Sequence, residues 1–287
     1  KIKEEQVLCE PMRKNTAPCI AYATAKIYKK DPDALVLVSP SDHLIVNENQ
    51  FFSDLKLGID HAKESNNLVT YGIKPNRPDT GYGYIEFDTN ENNNLVSKVK
   101  HFREKPDLDT ARGFIEKGNF YWNSGMFVWK AKTIINSFKE NAQDLYRIFF
   151  QNNEHYNTDS EVEFLKESFS ACKDISIDYA ILEKATNVYV ISCDIGWTDL
   201  GTWGSLYTKV NQDEKDNAIV GDSVKVYNCS NNIISNPTDK LMVVDGLDNF
   251  IVVNTNEALL ICKKEDEQKI KQFVTDLNST KKHKKYI

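Results

Sequence analysis

Two distant aspartates stand where a ligand-binding acid is useful. Asp42 closes the run Leu35-Val-Leu-Val-Ser-Pro-Ser-Asp42, and Asp199 follows Val188-Tyr-Val-Ile-Ser-Cys193 across a turn bracketed by Gly196 and Gly201. A short apolar, β-branched run stopped by turn residues reads as a strand buried on both faces, the kind found in parallel sheets. In open α/β sheets the ligand lies beyond the carboxyl ends of the strands, so both acids fall at the rim of a cleft. A pair of strand-end carboxylates suits Mg²⁺, which takes one or two protein carboxylates and completes its shell with water and phosphate. Alone, Asp42 serves equally well as a turn cap and Asp199 somewhat better as a helix cap; the pair favours the metal.

Other polar groups gather at glycine or proline breaks. Lys105, in Glu104-Lys105-Pro106, puts a point charge at a strand end, as a phosphate ligand would. Glu104 and Asn123 suit a hydroxyl-rich ligand, or equally a loop hydrogen-bonded to itself. Gly81 and Gly83 allow backbone to approach a ligand closely, or form a bulge at a strand entry. No helix follows them, so they are no phosphate cradle. Ser41, Asp42 and His43 are consecutive and cannot form a hydrolytic triad, and no nucleophile elbow, dinucleotide fingerprint or Walker loop occurs.

These residues need a scaffold. Asn15 or Thr16 caps, Pro18 suits a first turn, and the Ala-rich run to residue 28 is helical. A strand at residue 35, a helix over 51–63 and a strand over 68–73 continue the alternation of a mainly parallel α/β sheet. A strand over 80–87 pairs with one over 95–102, a helix covers 107–117, and 119–130 is a loop feeding a strand. Two helical segments interrupted by a polar break at 152–159 come next, then a helix over 177–185. Beyond residue 211 short strands (218–220, 224–227, 241–244, 250–253 and 258–262) alternate with Asn, Asp and Gly turns, and a helix closes 264–277. A domain boundary is therefore expected near Asn211, separating 1–211 from 212–287, with no exact internal repeat.

Composition narrows the function. A net charge of −6 over 287 residues argues against a nucleic-acid binder. The basic run 281–285 reads as a solvated tail. The six cysteines and five histidines are scattered, so a zinc site is not expected. No stretch approaches membrane-spanning length and no signal peptide is visible, which makes the cytoplasm the expected compartment. The chain opens on Lys1 without an initiator Met and reads as beginning in the middle of a fold.

Seven stretches carry a family resemblance. They are Glu10-Pro-Met-Arg-Lys-Asn-Thr-Ala-Pro18, Pro40-Ser-Asp-His43, Thr80-Gly-Tyr-Gly-Tyr-Ile85, Glu104-Lys-Pro106, Trp122-Asn-Ser-Gly125, Asp178-Tyr179 with Glu183, and Gly196-Trp-Thr-Asp-Leu-Gly-Thr-Trp203. In this order they resemble the mannose-1-phosphate guanylyltransferases of the sugar-nucleotidyltransferase family. The resemblance implies a Rossmann-like α/β domain of nucleotide-diphospho-sugar transferase type, with a small C-terminal β-helix-like domain. It implies Mg²⁺-assisted, direct in-line transfer of GMP from GTP to mannose 1-phosphate. Asp42 and Asp199 would hold Mg²⁺, and Lys105 would meet the sugar phosphate. Tyr82, Gly83, Glu104 and Asn123 would line the mannose with Asp178 near it, while Asn15, Thr16 and Pro18 would lie along the guanine. The family's glycine-rich N-terminal signature is not among these residues, and a second, isomerase activity is not implied. A homodimer through the β-rich part is expected. The alternatives are another nucleotide and sugar 1-phosphate pair, or an inactive regulatory subunit.

Overall fold

Asn15 starts the first helix as its residue type suggests. Its Oδ1 accepts the Thr16 N–H at 2.9 Å, and α1 (Thr16–Lys30) follows with Ala17, Ile20, Ala21, Tyr22 and Ala25 buried. The computed structural model describes residues 2–89, 95–151, 153–279 and 282–286. Asn152, in the polar break, and Lys281, at the head of the basic run, lie outside the described residues. The described chain divides into two units, one of residues 2–41 and 45–197 and one of residues 42–44 and 198–286.

The first unit is built on six strands: β1 (Leu35–Val38), β2 (Leu68–Ile73), β3 (Tyr84–Phe87), β4 (Val96–Arg103), β5 (Phe120–Lys130) and β6 (Val188–Cys193). Their order is β1-β5-β2-β6-β4-β3, with β3 also pairing β5. The sheet is mixed, as expected, but the expectation of mainly parallel pairing needs correction. Strands β1, β2, β3 and β6 share one direction, yet β2–β6 is the one parallel ladder among the described strands of this sheet. The reason is that β4 and β5 run against those four: β5 inserts between β1 and β2, and β4 between β6 and β3. Among the described strands β1 pairs with β5 alone, Leu37 is 43% exposed, and β1 is not the doubly buried strand its apolar run suggested.

Strand β5 corrects a second expectation. Residues 120–123 are strand, not loop, because β5 finds partners along its whole length in β1, β2 and β3. Pairing on two sides outweighs the local turn preference of Asn, Ser and Gly. Side chains alternate between two cores. Leu68, Val188 and Val190 join one with α1, α4 (Ala131–Asn141), α5 (Gln143–Phe150) and α6 (Glu161–Ala171). Val69, Tyr71, Ile73 and Ile191 join the other with α2 (Glu48–Glu64) and α3 (Leu108–Lys117). This is the period-2 rule for a sheet covered on both faces.

The first core holds a buried carboxylate. Glu161 accepts from Lys26 Nζ at 2.6 Å, from the Tyr22 hydroxyl at 3.0 Å and from the Asn157 N–H at 2.6 Å. The helix expected over 177–185 is instead a single π-helical turn, Asp178–Leu182. Such turns are rare and often mark functional positions.

The second unit contains α7 (Trp203–Tyr207), β7 (Ala218–Val220), β8 (Val224–Tyr227), β9 (Ile233–Ser235), β10 (Met242–Asp245), β11 (Phe250–Asn254), β12 (Leu259–Lys263) and α8 (Ile270–Ser279). Ladders β7–β9–β11 and β8–β10 are parallel, and β12 closes antiparallel on β11. This is a stack of β-coils, although the sequence carries no exact repeat. Buried asparagines hold the corners: Asn232 Nδ2 donates to Asn217 Oδ1 at 2.9 Å and to the Leu247 carbonyl at 2.8 Å, and Asn232 Oδ1 accepts the Phe250 N–H at 2.8 Å. Three-residue β9 is not among the expected strands, because the asparagines on both sides of it, Asn231, Asn232 and Asn236, read as turn.

Candidate active site

In the first unit, four of the expected sugar-site residues are brought together. The Asn123 N–H donates to the Gly83 carbonyl at 2.8 Å, and its Nδ2 donates to Asp178 Oδ1 at 2.8 Å. Lys105 Nζ lies 2.6 Å from Glu104 Oε1. A Cβ at Gly83 would run into the Glu104 carboxylate, so a side chain here would displace Glu104. Lys105 has φ 45°, a left-handed conformation uncommon for a side-chain-bearing residue and frequent at functional sites.

The charges in this cluster hold one another in unusual states. Burial pushes the Asp178 carboxyl above its usual range, and the nearby Glu104 charge adds to it against the Asn123 hydrogen bond. Glu183 is raised in the same direction, by burial first and then by Asp178 and Glu104. Burial alone would lower the Lys105 ammonium, but the Glu104 hydrogen bond and charge, with Tyr179 and Asp178 behind, raise it above an ordinary lysine. Glu104 and Asp178 beside one lysine, with Glu183 next to those two acids, make a cluster that can accept several hydroxyl hydrogen bonds while keeping a fixed positive charge. Tyr82 is only 5% exposed and packs edge-on against Trp122 and Trp197, at 5.0 and 5.3 Å between centroids. It forms an aromatic wall beside Gly83.

Asp178 should cost stability in its ionised form. A carboxyl whose folded pKa is raised contributes most below its unfolded value of about 3.8, and that contribution is lost as pH rises through the folded value. Asp178→Asn keeps an acceptor for Asn123 and removes the charge. Its melting temperature is expected to exceed the parent's at neutral pH, the gain shrinking toward pH 3. Thermal melts across pH check this, and a lower melting temperature at pH 7 contradicts it.

Asn15 and Thr16 are exposed, whereas Pro18 is buried and offers no free ring face. The Thr16 hydroxyl accepts the Ile177 N–H at 2.8 Å, and the Ala17 N–H donates to the Ile175 carbonyl at 3.1 Å. The start of α1 thus anchors the segment that delivers Asp178 to Asn123, a role sequence reasoning missed. So too were the places of Glu183 and Tyr179 beside Glu104. Their signal was the Asp178-Tyr179 pair followed by Glu183, without a stated role.

In the second unit, residues 42–44 and 198–199 meet. Leu44 and Thr198 exchange backbone hydrogen bonds of 2.8 and 3.0 Å. Asp42, beside this bridge, is 86% exposed in its side chain. Asp199 Oδ1 accepts the Gly201 N–H at 3.0 Å and the Ser205 hydroxyl at 3.1 Å, so it braces the turn before α7 as a cap would. Both acids act on one imidazole: burial lowers the His43 pKa, and Asp42 and then Asp199 oppose that shift. Among the described residues no three His, Cys, Asp or Glu side chains form a ready-made metal cage. Two carboxylates that act on one imidazole, one of them open to solvent, could hold a divalent cation that completes its shell with water and phosphate.

A helix-flanked mixed sheet that gathers acids and a lysine in one cluster, and a unit of stacked parallel β-coils, place the chain in the α/β class with a β-helical unit. The Nucleotidyl transferase family model matches residues 1–216, and a MannoseP isomerase/GMP-like beta-helix domain matches residues 221–277. The chain belongs to the nucleotidyl transferase family. It is 36% identical over 280 residues to the alginate biosynthesis protein AlgA of Pseudomonas aeruginosa, covering 97% of this chain and 58% of AlgA. It is 34% identical over 292 residues to a mannose-1-phosphate guanylyltransferase of Escherichia coli, covering 99% and 62%. The chain therefore spans less than two thirds of the length of these relatives. A crystal structure described as a mannose-1-phosphate geranyltransferase from Thermus thermophilus superposes with a TM-score of 0.79 at 25% identity, covering 94% of this chain and 77% of that one. Among the described residues no helix is long and apolar enough to cross a membrane.

Proposed function

We propose that this chain transfers GMP from GTP to α-D-mannose 1-phosphate, giving GDP-mannose and pyrophosphate. The observation that carries the reading is the gathering of Glu104, Lys105, Asn123 and Asp178 around Gly83, a set of acceptors and one cation suited to a sugar phosphate. The names of the relatives supply the choice of guanine and mannose. Residues 1–211 would form the transferase domain and 212–287 the β-rich domain, in a cytoplasmic protein that pairs as a homodimer.

The phosphate of mannose 1-phosphate is already a nucleophile. One of its oxygens forms a bond to the α-phosphorus of GTP, the bond from that phosphorus to the β-phosphate oxygen breaks, and pyrophosphate leaves with the electron pair. No enzyme base or covalent intermediate is needed, so the protein's work is alignment and charge neutralisation. Glu104, Asn123 and Asp178 would hold the sugar hydroxyls, Lys105 the sugar phosphate, and Asn15 and Thr16 the base. Asp42 and Asp199 would hold Mg²⁺, which when bound supplies positive charge to the reacting phosphates.

Pyrophosphate release, measured with four nucleoside triphosphates against a panel of sugar 1-phosphates, tests the reading. GTP with mannose 1-phosphate is expected to be the fastest pair. A faster pair with another base or sugar moves the specificity elsewhere, and no release from any pair overturns the transferase reading. Lys105→Ala is expected to raise the KM for mannose 1-phosphate by roughly 10-fold or more, the range for losing one charge-assisted contact at about 1.5–3 kcal/mol, with the KM for GTP little changed. Steady-state kinetics varying each substrate decides it; equal changes in both KM values contradict the assignment.

A further inference from the structure

Arg77 takes no part in the chemistry above, yet it is tied to the loop that carries Tyr82 and Gly83. Its Nε and Nη2 donate to Asp79 Oδ2 at 3.1 and 2.7 Å. Its guanidinium also lies over two rings, 5.0 Å from the Trp122 centroid and 5.8 Å from that of Tyr82. Asp79 passes the restraint on. Its Oδ1 accepts the Gly81 N–H at 2.8 Å, and its carbonyl accepts the Tyr84 hydroxyl at 2.9 Å. Asp79 thus grips the loop just before Gly83 and just after it. Only arginine can fork a carboxylate and lay a flat cation on aromatic faces at once; a lysine does one or the other.

What this loop presents is Gly83. Its carbonyl takes the Asn123 N–H at 2.8 Å, and its Cα faces the Glu104 carboxylate so closely that a Cβ would displace it. A displacement of residues 79–83 is therefore passed by direct contact to Glu104 and Asn123, two groups of the sugar cluster.

We propose that Arg77 is a positioning residue for sugar 1-phosphate binding. It acts through Asp79, Tyr82 and Trp122 to hold Gly83, and so sets where Glu104 and Asn123 sit, without touching the substrate itself. The role rests on the transferase reading above. It predicts a split in kinetic constants, because loosening a sugar-binding wall weakens one substrate in ground and transition states alike.

The test is steady-state kinetics of the Arg77→Met, Arg77→Lys and Asp79→Asn variants, varying GTP and mannose 1-phosphate separately. Arg77→Met is expected to raise the KM for mannose 1-phosphate about tenfold, with kcat and the KM for GTP unchanged, a size reasonable for a wall displaced by a fraction of an ångström. Arg77→Lys is expected not to rescue it. The Arg77→Met, Asp79→Asn double variant should be no worse than Arg77→Met, since both changes cut one chain of contacts. A purely structural role lowers the melting temperature and the active fraction but does not move one KM alone. If Arg77→Met fails to fold, Asp79→Asn, which keeps volume and acceptor, is the variant on which the split is read. An unchanged sugar KM, or equal rises in both KM values, overturns the proposal while leaving the transferase reading standing. A parent protein that turns over no sugar 1-phosphate overturns that reading and this role with it.

Discussion

Asp42→Ala is expected to lose GDP-mannose synthesis by about 10²–10³-fold, the size seen when one preorganised charge-stabilising group is removed from a transfer site, while its thermal unfolding stays that of the parent. The two halves of this expectation have separate causes. The Asp42 side chain is 86% exposed, so its loss opens no cavity, and His43, 3.9 Å away, keeps the Asp199 charge beside it. Surface changes of that sort typically stay within about 0.5 kcal/mol. The loss of turnover follows from the role proposed for the carboxylate at developing phosphate charge. Asp199→Ala should match it in activity but not in stability. Asp199 Oδ1 accepts the Gly201 N–H and the Ser205 hydroxyl, and losing those bonds is expected to cost about 1 kcal/mol. Pyrophosphate release read beside a thermal melt separates the two variants. More than a few per cent of parental, metal-dependent activity in folded Asp42→Ala would remove this aspartate from the mechanism.

Glu161→Ala carries the largest expected loss of stability, about 3–5 kcal/mol, because it leaves the Lys26 ammonium in the first core without its counter-charge. The Glu161 side chain is 11% exposed and binds Lys26, Tyr22 and the Asn157 N–H together. Burial alone would raise its pKa, but those three groups outweigh burial and hold the carboxyl below its ordinary 4.5. A group of that kind contributes stability above the unfolded pKa and loses it as pH falls through the folded value. The parent should therefore weaken below about pH 4.5 from this source, and Glu161→Gln should show a shallower acid limb. Urea denaturation of Glu161→Ala at pH 7 measures the first effect. A change below about 1 kcal/mol would mean that the pair relaxes into solvent, as exposed ion pairs do.

The placement of the charged cluster shows why some site residues were visible in the sequence and others were not. Glu104 and Lys105 announce themselves through the proline that follows, and Gly83 through its paired glycine, because each signal is local. That Glu104 sits against Gly83 and raises the pKa of Asp178 depends on β4, β5 and the 178–182 turn converging, which no short window records. Arg77 gave no signal at all. Its neighbour Pro78 suggests a turn, and only the packed rings of Tyr82 and Trp122 show what the guanidinium is for.

By itself the sequence determined the kinds of elements and the ends of many of them. Asn15 and Pro18 mark the start of α1, the Ser-Pro-Ser break ends β1 ahead of Asp42, and short strands between Asn, Asp and Gly turns mark the second unit. These follow from caps, fixed φ angles and hydrophobic period, which act over a few residues. Only the tertiary structure decided which strands are neighbours. It placed β5 between β1 and β2, so a chain that alternates like a parallel sheet pairs mostly antiparallel, and it extended β5 through residues whose own preference is to turn. It also stacked β7, β9 and β11 in parallel through Asn217 and Asn232, with no repeat in the sequence to announce it. Such pairings join segments far apart in the chain, and their free energy comes from the surface and hydrogen bonds shared between partners rather than from either segment alone.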